Sequence, residues 1–258
     1  MSLLTADKLT KSFGGLTAVS NAGMSIEKGE LVGLIGPNGA GKTTFFNLLT
    51  GVYIPTSGSI KLELDGVVKD ITGLKPYNIT KSGIARTFQN IRLFKDLTVL
   101  DNIRIAMHQN IKYSLPSAFF RSNKYYNEEE RLVKEAEELL DIFNLTDKKN
   151  ELAKNLPYGE QRHLEIVRAM ATKPVLLLLD EPAAGMNPRE TENLTKTIAK
   201  IREEFNLTIL LIEHDMSLIM KICQRIYVLD YGTMIAVGSP SEIKNNKRVI
   251  EAYLGEDA

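Results

Sequence analysis

The chain has almost no cysteine, no excess charge of either sign and no apolar run long enough for a bilayer. Of its 258 residues only Cys223 is a cysteine. That excludes an internal disulfide framework and suits a reducing compartment. Cys223 follows the apolar stretch 218–222, so a buried, inert thiol is expected. Lys plus Arg and Asp plus Glu each total 32, a balance without the basic footprint of a dedicated nucleic-acid binder. The longest aliphatic runs, 175–179 and 209–212, fall far short of the roughly twenty residues of a membrane span. Residues 1–13 are broken by Asp7 and Lys8 and carry no signal-like apolar core. A soluble chain is expected, with any membrane role exercised through a partner. There is no internal repeat or low-complexity segment, and the length suits one large domain or two smaller lobes.

What the chain does have is a phosphate-binding pattern. Gly36, Pro37, Asn38, Gly39, Ala40, Gly41, Lys42, Thr43 and Thr44 fit GxxxxGK[ST]. The apolar run 31–35 before it reads as a buried strand, and the half-apolar run 45–49 after it reads as a helix. The glycines let backbone N–H groups converge, and the helix N-terminus adds partial positive charge. Lys42 offers a point charge to β- and γ-phosphates, and the Thr43 hydroxyl is placed to ligate Mg²⁺.

The coarse pattern is α/β. Residues 3–13 and 19–26 read as strands separated by Gly14 and Gly15, and Asp65-Gly66 turns a strand around Ile60, Leu62 and Leu64 into Val67 and Val68. Residues 84–89 read as a further core strand. From about 97 to 171 the pattern is helical. Thr98 and Asp101 suit a capping box before Ile103 and Met107, and Asn127 before Glu128, Glu129 and Glu130 suits a helix start. Leu132, Ala136, Leu139, Leu140 and Phe143 make one apolar face. Between these helices the loop 111–126 carries Tyr113, Phe119, Phe120, Tyr125 and Tyr126, expected to pack under the loop. The α/β pattern resumes at 175–179. Asn187, Pro188 and Glu190 start a helix, 207–212 is a strand, Tyr231-Gly232 turns a late hairpin, and Ser239 to Glu242 cap a last helix ending near Leu254.

A second chemical element follows the strand at 175–179. Asp180 at its end can hold Mg²⁺ through water, and Glu181 beside it can orient and deprotonate an attacking water. The guanine-reading pattern NKxD is absent: Asn78-Ile79-Thr80-Lys81 has no following Asp, which argues against GTP.

The third element, Leu156-Pro157-Tyr158-Gly159-Glu160-Gln161-Arg162, resembles the LSGGQ signature of the ATP-binding cassette (ABC) ATPases. The resemblance covers nearly the whole chain. It implies a P-loop NTPase core with an N-terminal antiparallel β subdomain and an inserted α-helical subdomain. The chain would be a single domain, 1–90 and 172–258 forming the core lobe and about 91–171 the helical one. Phe13 matches the aromatic that stacks on adenine, and Gly36 to Thr44 match Walker A. Gln89 matches the Q-loop glutamine, Asp180 and Glu181 match Walker B and its catalytic glutamate, and His214 matches the switch histidine. The resemblance implies ATP and Mg²⁺ as cofactors, the metal on Thr43, Gln89 and Asp180, and Glu181, His214 and Lys42 as catalytic groups. Tyr158, Gly159 and Glu160 would contact the ATP of a second cassette. Pro157, Tyr158 and Glu160 depart from the signature, and Asn187 replaces the usual D-loop aspartate. Proline supplies neither hydroxyl nor N–H, so the trans contact is expected to use the Gly159 backbone and the helix behind it. His108 and His163 lack motif context and read as helix-surface residues.

The stretch Arg86 to Phe94, the LPYGEQR run, residues 181–188 and the tail 249–255 are similar to the LivG-type ATPases of branched-chain amino acid importers. That similarity implies a peripheral subunit at the cytoplasmic side of the cell membrane. Its partners would be a second ATPase, related or identical, two membrane-spanning permease subunits and, indirectly, a substrate-binding protein, with no nucleic acid. An ATPase for amides or urea, an exporter ATPase and a soluble non-transport ABC ATPase are the alternatives.

Overall fold

The computed structural model describes residues 2–254. Gly255, at the end of the tail motif, lies outside the described residues. The chain begins with two long strands, β1 (Ser2–Phe13) and β2 (Leu16–Glu27), and then β3 (Leu31–Ile35), which leads through the phosphate loop into α1 (Lys42–Leu49). The hairpin β4 (Ser57–Leu64) and β5 (Val67–Asp70) follows, turning at Asp65-Gly66 as its sequence requires. These strands form a four-stranded antiparallel sheet in the order β2-β1-β4-β5. After α2 (Pro76–Lys81) comes β6 (Ile84–Arg86), which is shorter than the expected strand. Pairing with the neighbouring strand ends at Arg86, so Gln89 stands on the loop beyond it.

The helical stretch contains α3 (Val99–Met107), α4 (Leu115–Phe119), α5 (Asn123–Ile142) and α6 (Tyr158–Met170). Thr98 caps α3 by accepting from Asp101 N at 3.0 Å, but the Asp101 carboxylate returns to the Thr98 hydroxyl rather than to its N–H, so the capping box is not closed. Two further expectations fail here. First, α5 starts a turn before Asn127, after Ser122, with Tyr125 packed against Tyr113 at a ring separation of 5.2 Å. Second, the loop aromatics do not all pack inward: Phe119 and Phe120 are 83% and 78% exposed.

The chain returns through β7 (Leu176–Asp180), α7 (Pro188–Glu204), β8 (Thr208–Ile212), α8 (Met216–Ile222), β9 (Arg225–Asp230) and β10 (Thr233–Gly238). Asn187 and Glu190 close a reciprocal capping box on α7. A second box on Ser239 and Glu242 starts α9 (Pro240–Lys244), but the chain breaks at Asn245 and Asn246 before α10 (Lys247–Leu254). The expected single terminal helix is therefore two.

A six-stranded sheet runs β10-β9-β3-β8-β7-β6, parallel except for the β9–β10 hairpin. Strands β3, β7 and β8 are buried at every residue, which is why they read as continuous apolar runs. Alternate residues feed two cores. Leu177, Leu179, Ile209 and Leu211 face α3, α5, α6 and α7, whereas Leu176, Leu178, Leu210 and Ile212 face α1 and the antiparallel sheet. Gly33 lets α8 lie close, since a Cβ there would meet the Cys223 Sγ at 3.1 Å. Cys223 is buried as expected, and burial pushes its thiol up to about 12. Parallel pairing brings the C-terminal ends of β3, β6, β7 and β8 to one edge, where the topology reverses on either side of β3. That is where open α/β sheets bind ligands.

Candidate active site

The loop after β3 wraps tightly. A Cβ on Gly36 (φ 153°) would stand 2.0 Å from the Leu229 carbonyl oxygen, and one on Gly41 (φ 103°) 2.5 Å from that of Ala18. Only glycine fits either position. The Lys42 ammonium folds back over the loop, donating to the carbonyls of Gly36 at 2.6 Å and Pro37 at 3.0 Å. Its burial pulls its pKa below the ordinary lysine value, while the nearby Glu181 and Asp180 carboxylates oppose that shift. Thr43 is exposed beside it.

Glu181 follows β7 in a left-handed conformation, φ 48°, which a non-glycine residue adopts at a cost. Its N–H donates to the Ile212 carbonyl at 2.9 Å, tying it to the end of β8. Both carboxylate oxygens are engaged from opposite sides. Oε2 accepts from Gln89 Nε2 at 2.8 Å, and Oε1 lies 2.9 Å from His214 Nε2. Residues brought together from 125 positions of chain thus close on one carboxylate: Gln89 after β6 and His214 after β8. With Asn38 to Thr44 they line a cleft of about 330 Å³ that also includes Ala18.

Asp180 is buried, and its Oδ2 accepts from Arg86 Nη2 at 2.5 Å. Arg86 also donates to Asn47 Oδ1 at 2.6 Å and Thr50 Oγ1 at 3.2 Å, so it joins β6, β7 and α1. Asp180 Oδ1 has no hydrogen-bond partner among the described residues. Of the three residues expected to hold a metal, Thr43 and Gln89 line the cleft and Asp180, buried beside Glu181, does not; between them they offer a hydroxyl, an amide oxygen and a carboxylate oxygen. These are hard oxygens of the kind that suits Mg²⁺ alongside water and phosphate.

The other expected site residues lie elsewhere. Phe13 is half exposed at the end of β1, edge-on to Tyr53 at 5.2 Å with the Lys11 ammonium 5.0 Å above its ring. It does not line the cleft. Tyr158, Gly159 and Glu160 form the first turn of α6. Tyr158 is exposed and lies against Gly185. Gly159 is buried beside the Glu190 side chain, and Glu160 pairs with Lys148 at 2.6 Å. His163 is not a surface residue: it packs on Phe143 at 5.6 Å, and burial lowers its pKa. Sequence reasoning missed Arg86 and Glu213. Glu213 accepts from Ala183 N at 2.6 Å and His214 N at 3.2 Å, fixing the segment after Glu181, and burial raises its pKa. Glu213 adjoins His214 in sequence, but nothing in that adjacency pointed to the Ala183 contact.

Residues 19–184 match the family model described as ABC transporter. This chain belongs to the ABC transporter ATP-binding family. Within this ABC ATPase, residues 233–258 also match the model for a branched-chain amino acid ATP-binding cassette transporter. It is 48% identical to the high-affinity branched-chain amino acid transport ATP-binding protein LivG of Salmonella typhimurium, covering 98% of each chain. Identity to the lipopolysaccharide export ATP-binding protein LptB of Haemophilus influenzae is 35%, over 99% of this chain and 98% of that one. Among solved structures, the ADP conformation of MJ1267, an ATP-binding cassette of an ABC transporter, matches with a TM-score of 0.84 at 30% identity over 99% of each chain. A dimeric post-hydrolysis cassette, MJ0796 bound to ADP and Pi, matches at 0.75 and 25% identity over 92% of this chain and 98% of that one.

Proposed function

We propose that this ABC ATPase is the ATP-hydrolysing subunit of a branched-chain amino acid importer, with Glu181 as the general base. The observation that carries the chemistry is the placement of one carboxylate between Gln89 and His214, facing the Lys42 loop. The cargo reading rests on 48% identity to LivG and on the match of residues 233–258. Identity of 35% to an export ATPase supports an exporter as the second reading.

The loop N–H groups and the α1 N-terminus bind the phosphates. Lys42 exchanges the Gly36 and Pro37 carbonyls for the γ-phosphate. Phe13, outside the cleft beside Tyr53, would stack on the adenine. Thr43, Gln89 and Asp180 would hold Mg²⁺, which supplies charge neutralisation at the β- and γ-oxygens. Glu181 accepts the proton of the attacking water, and His214 steadies charge on the γ-phosphate. Gln89 leaves Glu181 when it turns towards nucleotide, so the base is freed as the site fills.

The solved dimeric cassette supports a working dimer; in it the α6 N-terminus of one chain would close over the ATP of the other. With Gly159 and Glu160 already engaged, Tyr158 is the signature side chain left exposed for that contact. Closure and hydrolysis-driven reopening would drive two permease subunits, docked on the helical lobe of about 91–171, and a binding protein would deliver the cargo. Among the described residues no helix is long and apolar enough to cross a membrane, so attachment would run through those permease subunits. Recovery from native membranes in mild detergent tests the assembly. Two multi-span proteins and a second ATPase are expected, and recovery with ribosomes or without partners would overturn it.

A further inference from the structure

The base of the signature helix holds a buried ion pair that the proposed chemistry does not use. Arg162, on α6, has no exposed side-chain surface, and Glu165, one turn later, has 2%. Nη1 of Arg162 donates to the Phe88 carbonyl at 2.6 Å and to Glu165 Oε2 at 2.8 Å. Nη2 donates to the Gln89 carbonyl at 2.6 Å and to the Tyr158 hydroxyl at 3.3 Å. All four Nη hydrogens are thereby used. Glu165 Oε1 accepts from the other side of the same loop, from Phe88 N at 3.4 Å and Arg92 N at 3.2 Å. One planar fork therefore joins the exposed signature tyrosine to the backbone of the residue that reaches Glu181.

A fully buried ion pair is a costly way to hold two segments together, and an apolar pair of similar volume often holds them as well. What an apolar pair cannot do is grip two successive carbonyls in a fixed direction. That is the property of the guanidinium fork. The grip falls on Phe88 and Gln89, the segment that leaves β6 beyond Thr87, whose N–H makes the last backbone bond to β7 at Leu178.

We infer that Arg162 and Glu165 are positioning residues that fasten the signature helix to the Gln89 loop, so that Tyr158 and Gln89 move as one body. Filling one nucleotide site would then set the position of the signature offered to the other. The inference rests on the ATPase reading above, because it assigns Gln89 a part in hydrolysis and α6 a part in the trans contact.

A double-mutant cycle tests it. Arg162→Met with Glu165→Leu removes the fork without leaving a lone buried charge. ATP binding by the single chain is expected to stay near wild type, with KM for ATP within twofold and kcat down about tenfold, while the unfolding midpoint falls because the Phe88 and Gln89 carbonyls lose their donor. In a Gln89→Ala background the same pair of changes is expected to cost less than twofold, because the fork acts through Gln89. Equal losses in both backgrounds, or an unchanged kcat in the folded variant, would overturn the inference. Should the apolar pair fail to fold, Arg162→Gln with Glu165→Gln enters the same cycle with the same criteria. Glu181→Gln serves as the separate control: if it leaves phosphate release untouched, the ATPase reading has failed and not the fastening.

Discussion

Replacing Arg86 with alanine breaks an ion pair whose two side chains are 8% and 4% exposed. The Asp180 carboxylate is left buried without its partner, and Asn47 loses the donor at 2.6 Å. Removing one member of a buried pair costs roughly 3–5 kcal/mol. For a chain of this length each kcal/mol is worth about 2–4 °C, so the unfolding midpoint should fall by roughly 6–20 °C. The reverse substitution, Asp180→Asn, should be milder. The guanidinium keeps Asn47 and Thr50 and lies over the rings of Phe46 at 5.6 Å and Phe88 at 5.3 Å. Its loss is that of one charge-assisted bond, about 1.5–3 kcal/mol. The assay is urea unfolding of both variants without nucleotide and with EDTA, so that metal binding to Asp180 does not enter. An Arg86→Ala loss under about 1 kcal/mol, or an Asp180→Asn loss larger than that of Arg86→Ala, would refute the reasoning.

Other consequences can be checked with the same preparations. Glu181→Gln should lower phosphate release by roughly 10²–10⁴-fold while ATP still binds, and a loss under tenfold would remove the general-base role. His163 has a lowered pKa in the fold, so the unfolded chain binds its proton first as pH drops. Its contribution is present above the ordinary histidine value and is lost as pH falls below it. His163→Phe should therefore flatten the decline in unfolding midpoint between about pH 6.5 and 5; an unchanged slope would contradict the burial argument. Gly36→Ala should fail to fold stably, because its Cβ meets the Leu229 carbonyl oxygen; a midpoint within 2–3 °C of wild type, about 1 kcal/mol, would contradict that. Phe119→Ser with Phe120→Ser should leave unfolding unchanged by urea titration, as both rings are exposed.

The phosphate loop, the three buried strands and the α7 cap were legible because each is a local pattern: glycine spacing, an unbroken apolar run, Asn-Pro before Glu. Glu181 was legible as the second acid after a buried strand, Gln89 and His214 only through their order along the chain, and their meeting at one carboxylate needed the parallel sheet. Arg86 was invisible as a partner of Asp180 because 94 residues separate them and nothing in the short β6 run points to the neighbouring strand's acid. The start of α5 was misplaced because Glu128 to Glu130 look like a first turn, whereas the Tyr113–Tyr125 packing extends the helix backwards. The exposed Phe119 and Phe120 were misjudged for a related reason: an aromatic's composition says nothing about which way a five-residue helix turns it.

The most direct measurement is leucine uptake into proteoliposomes holding this chain with its co-purified membrane subunits and binding protein, with ATP on the cassette side. Uptake that requires ATP and disappears with Glu181→Gln is expected. ATP hydrolysis without leucine, isoleucine or valine uptake, or uptake that survives Glu181→Gln, would contradict the proposed role.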